Sequence, residues 1–223
     1  MTFQAALFDM DGTLIDSMGV WAKVDEVFFA RRGMSVPADY ARAIAGLSFR
    51  QTGEYTKERF QLPESVDEIL AEWNAMCEAS YINDVPLKPG AKEYVTRLKR
   101  AGVRLAVATA LPRHLYEPVL RRTGIYDLFD AFVSTGETGE SKRTGRVYLL
   151  AAEKLGVEPG QCVVFEDILE GLLGAHAAGM KAVCVRDEAA SAERPRALEV
   201  CDRYADDFQT LLADLPDEPQ ATV

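Results

Sequence analysis

The chain has 223 residues, and its 25 Lys and Arg against 35 Asp and Glu give a formal charge of −10. At 48% hydrophobic and 27% charged residues it excludes disorder and collagen, and a chain of this length buries about 70% of the surface it exposes unfolded. The acidity argues against nucleic acid and against an electrostatic membrane anchor, and it means that any phosphate chemistry needs a local source of positive charge.

The first residues, Met1-Thr2-Phe3-Gln4, carry no basic region, and no apolar run approaches membrane-spanning length, so a cytoplasmic protein is expected. Ala5-Ala6-Leu7-Phe8 is a short apolar run without alternation, the pattern of a strand buried on both faces of a parallel sheet. From 18 to 85 no strand-like run occurs. Trp21, Val24, Val27 and Phe28, and then Val66, Ile69, Leu70, Trp73, Met76 and Cys77, repeat at helical spacing. Beyond 86 the strand texture returns, at 105–108, 131–133, 163–165 and 182–185. Helical patterns over 90–101, 146–155 and 170–178 are each stopped by a glycine, at Gly102, Gly156 and Gly179. This alternation predicts an α/β fold: a Rossmann-like doubly wound parallel sheet core built from 1–17 and 86–223, with a helical cap domain, 18–85, inserted after the first strand. Two borders, Ser17-Met18-Gly19 and the stretch from Asn83 to Gly90, predict hinges on which the cap opens and closes. The tail after Leu215 reads as a frayed end. Cys77, Cys162, Cys184 and Cys201 form no metal or redox motif, and Cys162 and Cys184 read as buried thiols.

Ligands of open parallel sheets bind beyond the carboxyl ends of the strands, so the residues after each apolar run carry the function. The first run is followed by Asp9-Met10-Asp11-Gly12-Thr13-Leu14, the next by Thr109-Ala110, and 163–165 by Glu166-Asp167, with Lys142 in a polar loop between. Four carboxylates at one sheet edge repel one another without a cation, and hard oxygen ligands of this kind suit Mg²⁺.

These motifs in this order resemble the four motifs of the haloacid dehalogenase superfamily, and the position of the helical segment resembles its β-phosphoglucomutase-like phosphatases. The resemblance covers essentially the whole chain. It implies that Asp9 is a nucleophile attacking phosphorus, and that Asp11 protonates the leaving oxygen and then takes a proton from water. It further implies that Asp9, the Asp11 carbonyl and Asp167 hold Mg²⁺ with support from Glu166, and that Thr109 and the Ala110 amide bind phosphoryl oxygens. Lys142 would neutralise charge on Asp9 and the phosphoryl group, and Gly12 would free the turn for a close backbone approach. One departure stands out: the family reads Lys-Pro-x-Pro-Asp where this chain has Lys142-Arg143-Thr144-Gly145-Arg146.

Blander readings exist for each motif. Asp-x-Asp-Gly occurs in calcium loops and turns, Glu166-Asp167 is suited to capping a helix, and Thr109 to a helix start. His114 and His176 read as a surface and a structural residue. A dehalogenase acting on carbon leaves Asp11 without a task. A phosphohexomutase of the β-phosphoglucomutase type is the alternative reaction, although there the first motif has valine where this chain has Thr13. A non-catalytic phosphate-sensing module needs only one of Asp9 and Asp11. The expectation is a Mg²⁺-dependent phosphatase of a small phosphate ester, sugar or polyol, acting as a monomer or small homo-oligomer. Trp21, Phe49 and Arg50 from the cap and Arg113 from the core are the expected specificity set.

Overall fold

The structure, a computed structural model, describes residues 3–215; the tail read as a frayed end lies outside them. Its centre is a six-stranded, wholly parallel sheet of order β3-β2-β1-β4-β5-β6. The strands are β1 (Ala5–Phe8), β2 (Arg104–Thr109), β3 (Ala131–Ser134), β4 (Cys162–Glu166), β5 (Lys181–Val185) and β6 (Arg203–Ala205). The first five fall on the apolar runs of the sequence. The sixth was not foreseen, because Arg-Tyr-Ala at a sheet edge contains no apolar run.

Successive residues of β1 point to opposite faces and meet two different cores. Ala6 and Phe8 pack with α5 (Ala91–Arg100), α6 (Arg113–Thr123) and α11 (Phe208–Leu212). Ala5 and Leu7 pack with α8 (Arg146–Leu155), α9 (Leu169–Ala177) and α10 (Arg194–Val200). Helices on both faces make the sheet doubly wound, as expected, and explain the apolar runs of its first five strands. The expected glycine stops are present: Gly102, Gly156 and Gly179 all take positive φ just past their helices.

The chain from β1 runs first toward β2 and β3 and later returns to place β4 on the other side of β1. The tips of β1 and β4 are therefore neighbours at the point where strand order reverses, with Phe8 in register with Phe165. Their rings stack at 4.5 Å, with Tyr94 and Phe208 packed around them. Full burial of each phenylalanine is worth about 1.5–3 kcal/mol, so the platform beneath Asp9 and Glu166 is anchored.

Between β1 and α5 lie four helices and no strand: α1 (Met18–Arg31), α2 (Tyr40–Ile44), α3 (Phe49–Phe60) and α4 (Val66–Asn83). Capping boxes Ser48/Gln51 and Ser65/Glu68 start α3 and α4. The two linkers that tie this insertion to the sheet are bonded to each other: Asp16 N–H donates to the Pro86 carbonyl at 3.0 Å, and Lys88 N–H to that of Leu14 at 2.9 Å. All four cysteines are free, with Cys162 and Cys184 buried as anticipated. Among the described residues no helix is long and apolar enough to cross a membrane.

Candidate active site

Asp9 leaves the end of β1, held by its own N–H donating to Phe165 O at 3.0 Å. Glu166 is the last residue of β4 and Asp167 follows it. Carboxylate oxygens of Asp9, Glu166 and Asp167, all three buried, lie within 4.8 Å of one another. Lys142 enters from the other side. Its ammonium is 2.5 Å from Asp9 Oδ1 and 2.5 Å from Glu166 Oε1, and its side chain is only 3% exposed. Burial alone would push its pKa down, and the two carboxylates override that and hold it above the ordinary lysine range.

One lysine does not satisfy three acids. Burial, with the Asp9 charge added, pushes Glu166 up to about 7 against the pull of Lys142. Burial, then Glu166 and Asp9, holds Asp167 well above the ordinary carboxylate range. The buried Glu166 Oε2 has no hydrogen-bond partner among the described residues. Two glycines keep side chains out of the same space: a Cβ on Gly12 would collide with the Asp167 carboxylate, and one on Gly171 with that of Glu166. An orphaned buried oxygen, three converging hard donors and residual proton affinity fit a divalent metal ion such as Mg²⁺. The alternative of Glu166-Asp167 as a helix cap fails, because α9 begins at Leu169 with Ile168 before it and no side-chain cap.

Lys142 reaches this position without the two prolines of the family's loop. It starts a one-turn 3-10 helix, Lys142–Thr144, ended by Gly145 at φ 76°. A Cβ on Gly174 of α9 would strike the Lys142 carbonyl, and one on Gly145 the Gly174 carbonyl. Mutual approach of two glycines presses the turn onto α9, and this replaces proline rigidity as the source of the loop's shape.

Asp11 lies two residues beyond Asp9. Its Oδ1 accepts from the Ser17 hydroxyl at 2.5 Å and from the Tyr81 hydroxyl. Burial raises its pKa to about 6, although both hydrogen bonds pull the other way, so the group exchanges protons near neutrality. Gly12, at φ 77°, makes the turn between Asp11 and Thr13. The Thr13 hydroxyl donates to Asp167 Oδ1 at 2.9 Å, and the Tyr148 hydroxyl to Glu166 Oε1 at 2.8 Å. The Thr109 hydroxyl oxygen, at the β2 tip, accepts from Leu111 N–H at 3.0 Å. It serves a turn and not a helix start. Ala110 follows, half-buried.

The structure does not bring Arg50 or Arg113 into this network. Arg50 pairs with Asp67 at 2.5 Å on the outer side of α3 and α4, and Arg113 with Glu117 one turn along α6 at 2.6 Å, with side chains 57% and 72% exposed. Arg50 satisfies a carboxylate in the first turn of the adjacent helix and Arg113 one a turn along its own, the usual fate of a surface arginine. His176 pairs with Asp202 at 3.1 Å, away from the cluster's contacts. Four contributors were not singled out from sequence for these roles: Ser17, Tyr81, Thr13 and Tyr148. Thr13 left a signal, a hydroxyl in an otherwise apolar stretch after Gly12. Tyr81 left a weaker one, a tyrosine continuing the Trp73–Cys77 stripe.

A family profile described as haloacid dehalogenase-like hydrolase matches residues 3–179. Hexitol phosphatase B of Escherichia coli K12 is 33% identical over 187 residues, covering 81% of this chain and 82% of its own. Validoxylamine A 7'-phosphate phosphatase of Streptomyces hygroscopicus subsp. limoneus is 31% identical over 182 residues, 80% of this chain and 83% of its own. Among solved structures, CbbY from Rhodobacter sphaeroides in complex with phosphate superposes with a TM-score of 0.82 at 26% identity, over 94% of this chain and 96% of that one. The chain belongs to the haloacid dehalogenase-like hydrolases. Within that family it is a phosphoric monoester hydrolase.

Proposed function

We propose that the protein is a Mg²⁺-dependent phosphatase of small phosphorylated sugars or polyols that works through an aspartyl-phosphate on Asp9. The observation that carries this reading is the buried Asp9–Lys142–Glu166–Asp167 cluster with Asp11, a carboxyl poised near pH 6, two residues from the nucleophile. Asp9, the Asp11 carbonyl, Glu166 and Asp167 would hold Mg²⁺, which when bound offsets negative charge on the carboxylates and the phosphoryl oxygens.

The residues then divide the work. A carboxylate oxygen of Asp9 forms a bond to phosphorus as the ester P–O bond breaks, and Asp11 gives its proton to the departing oxygen, which receives the bond electrons. Water next attacks phosphorus, Asp11 takes its proton, and the Asp9–phosphorus bond breaks to return the carboxylate and inorganic phosphate. Lys142 holds Asp9 in place and balances charge, while the Thr109 hydroxyl and the Ala110 amide bind phosphoryl oxygens. Gly12 keeps the turn close to the reacting centre. Residues 18–85 would act as a cap on 1–17 and 86–223, with Trp21 and Phe49 facing substrate. Arg50 and Arg113 would exchange Asp67 and Glu117 for a second anion on the substrate.

The polyol assignment draws support from the names of the two curated relatives, a hexitol phosphatase and a validoxylamine 7'-phosphate phosphatase. Phosphate transfer to water rather than back to a sugar draws support from Thr13, the residue by which the first motif departs from the mutase pattern and which is engaged with Asp167. We place the enzyme in the cytoplasm as a monomer or small homo-oligomer, without nucleic-acid or membrane partners.

The test is a phosphate-release screen over phosphorylated metabolites, with Mg²⁺ and with EDTA. Release from hexose and hexitol phosphates that EDTA abolishes and Mg²⁺ restores is expected, with Asp9→Asn inactive at an unchanged melting temperature. Substantial turnover by Asp9→Asn, or turnover indifferent to EDTA, defeats the reading. Conversion of glucose 1-phosphate to glucose 6-phosphate without free phosphate would establish the mutase instead.

A further inference from the structure

We propose that Tyr81 is the positioning residue for the proton-transferring carboxyl, so that Asp11 is aligned by the helical insertion and not by the sheet that carries it. The inference rests on the acid–base role given to Asp11 above. Tyr81 is fully buried near the end of α4, just before the second linker, and its hydroxyl donates to Asp11 Oδ1. Trp21 lies in the first turns of α1, just past the first linker, and its Nε1–H donates to the Tyr81 hydroxyl oxygen at 2.6 Å.

The polarity of this relay is fixed. An indole N–H only donates, so it takes up acceptor capacity on the phenol oxygen and leaves the phenol's own hydrogen for Asp11. The indole is itself set by edge contacts, its ring centre 6.1 Å from that of Tyr81 and 5.9 Å from that of Phe49. Ser17, the residue before α1, donates to the same Oδ1 at 2.5 Å. Two hydroxyl donors on Oδ1 favour the form of the acid whose proton is on Oδ2, and they fix the rotation of the carboxyl. Proton delivery to the ester oxygen as the P–O bond breaks then issues from one oxygen in one direction. Ser17 and Trp21 flank the first linker and Tyr81 precedes the second, so a displaced insertion withdraws Trp21 and Tyr81 together. The acid is aligned when the insertion is seated over the sheet.

Residues that only support the fold would impair all substrates alike, whereas a residue that aligns the acid matters in proportion to how much the leaving group needs a proton. p-Nitrophenolate leaves readily without one, and an alkoxide does not. Wild type, Tyr81→Phe and Trp21→Phe are therefore compared on p-nitrophenyl phosphate and sorbitol 6-phosphate, each with its melting temperature. General acid catalysis contributes about 10²- to 10⁴-fold, so in Tyr81→Phe the ratio of kcat on sorbitol 6-phosphate to kcat on p-nitrophenyl phosphate should fall about tenfold or more, with KM changed by less than about threefold. Trp21→Phe, which keeps an aromatic ring but lets the phenol rotate, should shift the same ratio in the same direction by a smaller factor. An unchanged ratio in both variants, or a loss confined to KM, overturns the inference while leaving the phosphatase standing. If wild type releases no phosphate from either ester, the functional reading fails instead.

Discussion

Lys142 sits where a small change in the chain has the largest electrostatic consequence. Its ammonium bridges Asp9 and Glu166 in a buried site, with Asp167 close by. Removing one member of a buried ion pair costs about 3–5 kcal/mol, because the remaining charges stay desolvated and unpaired. Lys142→Met should therefore lower the melting temperature of the EDTA-treated protein, and added Mg²⁺ should restore part of the loss, since a cation returns to the cluster. Phosphate release should fall by about 10²-fold or more, the effect of deleting one preorganised group that stabilises transition-state charge. Thermal melts with and without Mg²⁺, beside steady-state rates, check both parts; a variant with wild-type melting and rate would show that Lys142 is a bystander. Gly174→Ala tests the same side chain from outside the site. Its Cβ meets the Lys142 carbonyl, and overpacking of this kind costs about 1–3 kcal/mol. That variant should lose activity through a displaced Lys142, although every acidic residue remains, and equal activity would show that the turn tolerates the shift.

At the scale of elements, α1 contains an acid, Asp25, with no salt bridge among the described residues. Burial raises Asp25 to about 7, and its charge in turn adds to the burial that holds the Tyr40 hydroxyl above its usual range. In the unfolded chain an aspartate titrates near 3.9. The folded protein therefore binds this proton more tightly, and the charged form is what costs stability. The cost is present in full above pH 7, shrinks as pH falls toward 4, and is absent below both values. Asp25→Asn should stabilise the protein by about 1–3 kcal/mol at pH 8, after allowance for its partly exposed edge, and by about 0.5 kcal/mol or less at pH 4. Urea unfolding at the two pH values decides it, and a gain independent of pH would rule out desolvation as the cause. The elements themselves were largely legible in the sequence. Buried parallel strands have to be apolar on both faces, and helices ending in glycine announce their stops, so five strands and the helical insertion could be read directly. β6 could not, because three residues at an edge bury too little to leave a pattern. In the site, Asp9, Asp11, Lys142, Glu166 and Asp167 were legible because they stand at strand tips or in a recognisable motif. Ser17, Tyr81 and Tyr148 were not, since a hydroxyl that finds a distant carboxylate has no periodicity to betray it. Arg50 and Arg113 show what a sequence leaves unread: in this structure each pairs with a carboxylate on an adjacent helix or its own, which their positions in the chain did not announce.

On the scale of the whole molecule, the arrangement separates two tasks. The carboxylates Asp9, Glu166 and Asp167 are held by the sheet, whereas the helical insertion packs through α4 on α6 and is tied by hydrogen bonds to the turns around the carboxylates. Gly46, between α2 and α3, accepts from the Lys142 amide at 2.9 Å, and Gln51 donates to the Gly139 carbonyl at 3.3 Å. Gly46 has φ 75°, and a Cβ there would lie 2.9 Å from Glu170 Cβ. Gly46→Val therefore faces two penalties in the seated state, backbone strain of about 1–2 kcal/mol and overlap with α9 of a similar size. The proposed displacement of the insertion would relieve the overlap with α9, so the variant should shift the balance away from the seated form. At about 1.4 kcal/mol per factor of ten, a net bias of about 2 kcal/mol lowers kcat/KM roughly 30-fold. A rise in melting temperature on adding Mg²⁺ would follow from the proposed binding at the folded sheet edge, and Gly46→Val should keep it. Asp167→Asn, by contrast, should lose both the activity and the Mg²⁺-induced rise. If Gly46→Val lost the Mg²⁺ response as well, its defect would lie in the sheet, and seating of the insertion would not be the step that the glycine serves; if it kept full activity, the contact with Lys142 would be dispensable. The net charge of −10 does not oppose this chemistry, because the charges that matter are gathered at a single sheet edge, three buried acids and one lysine.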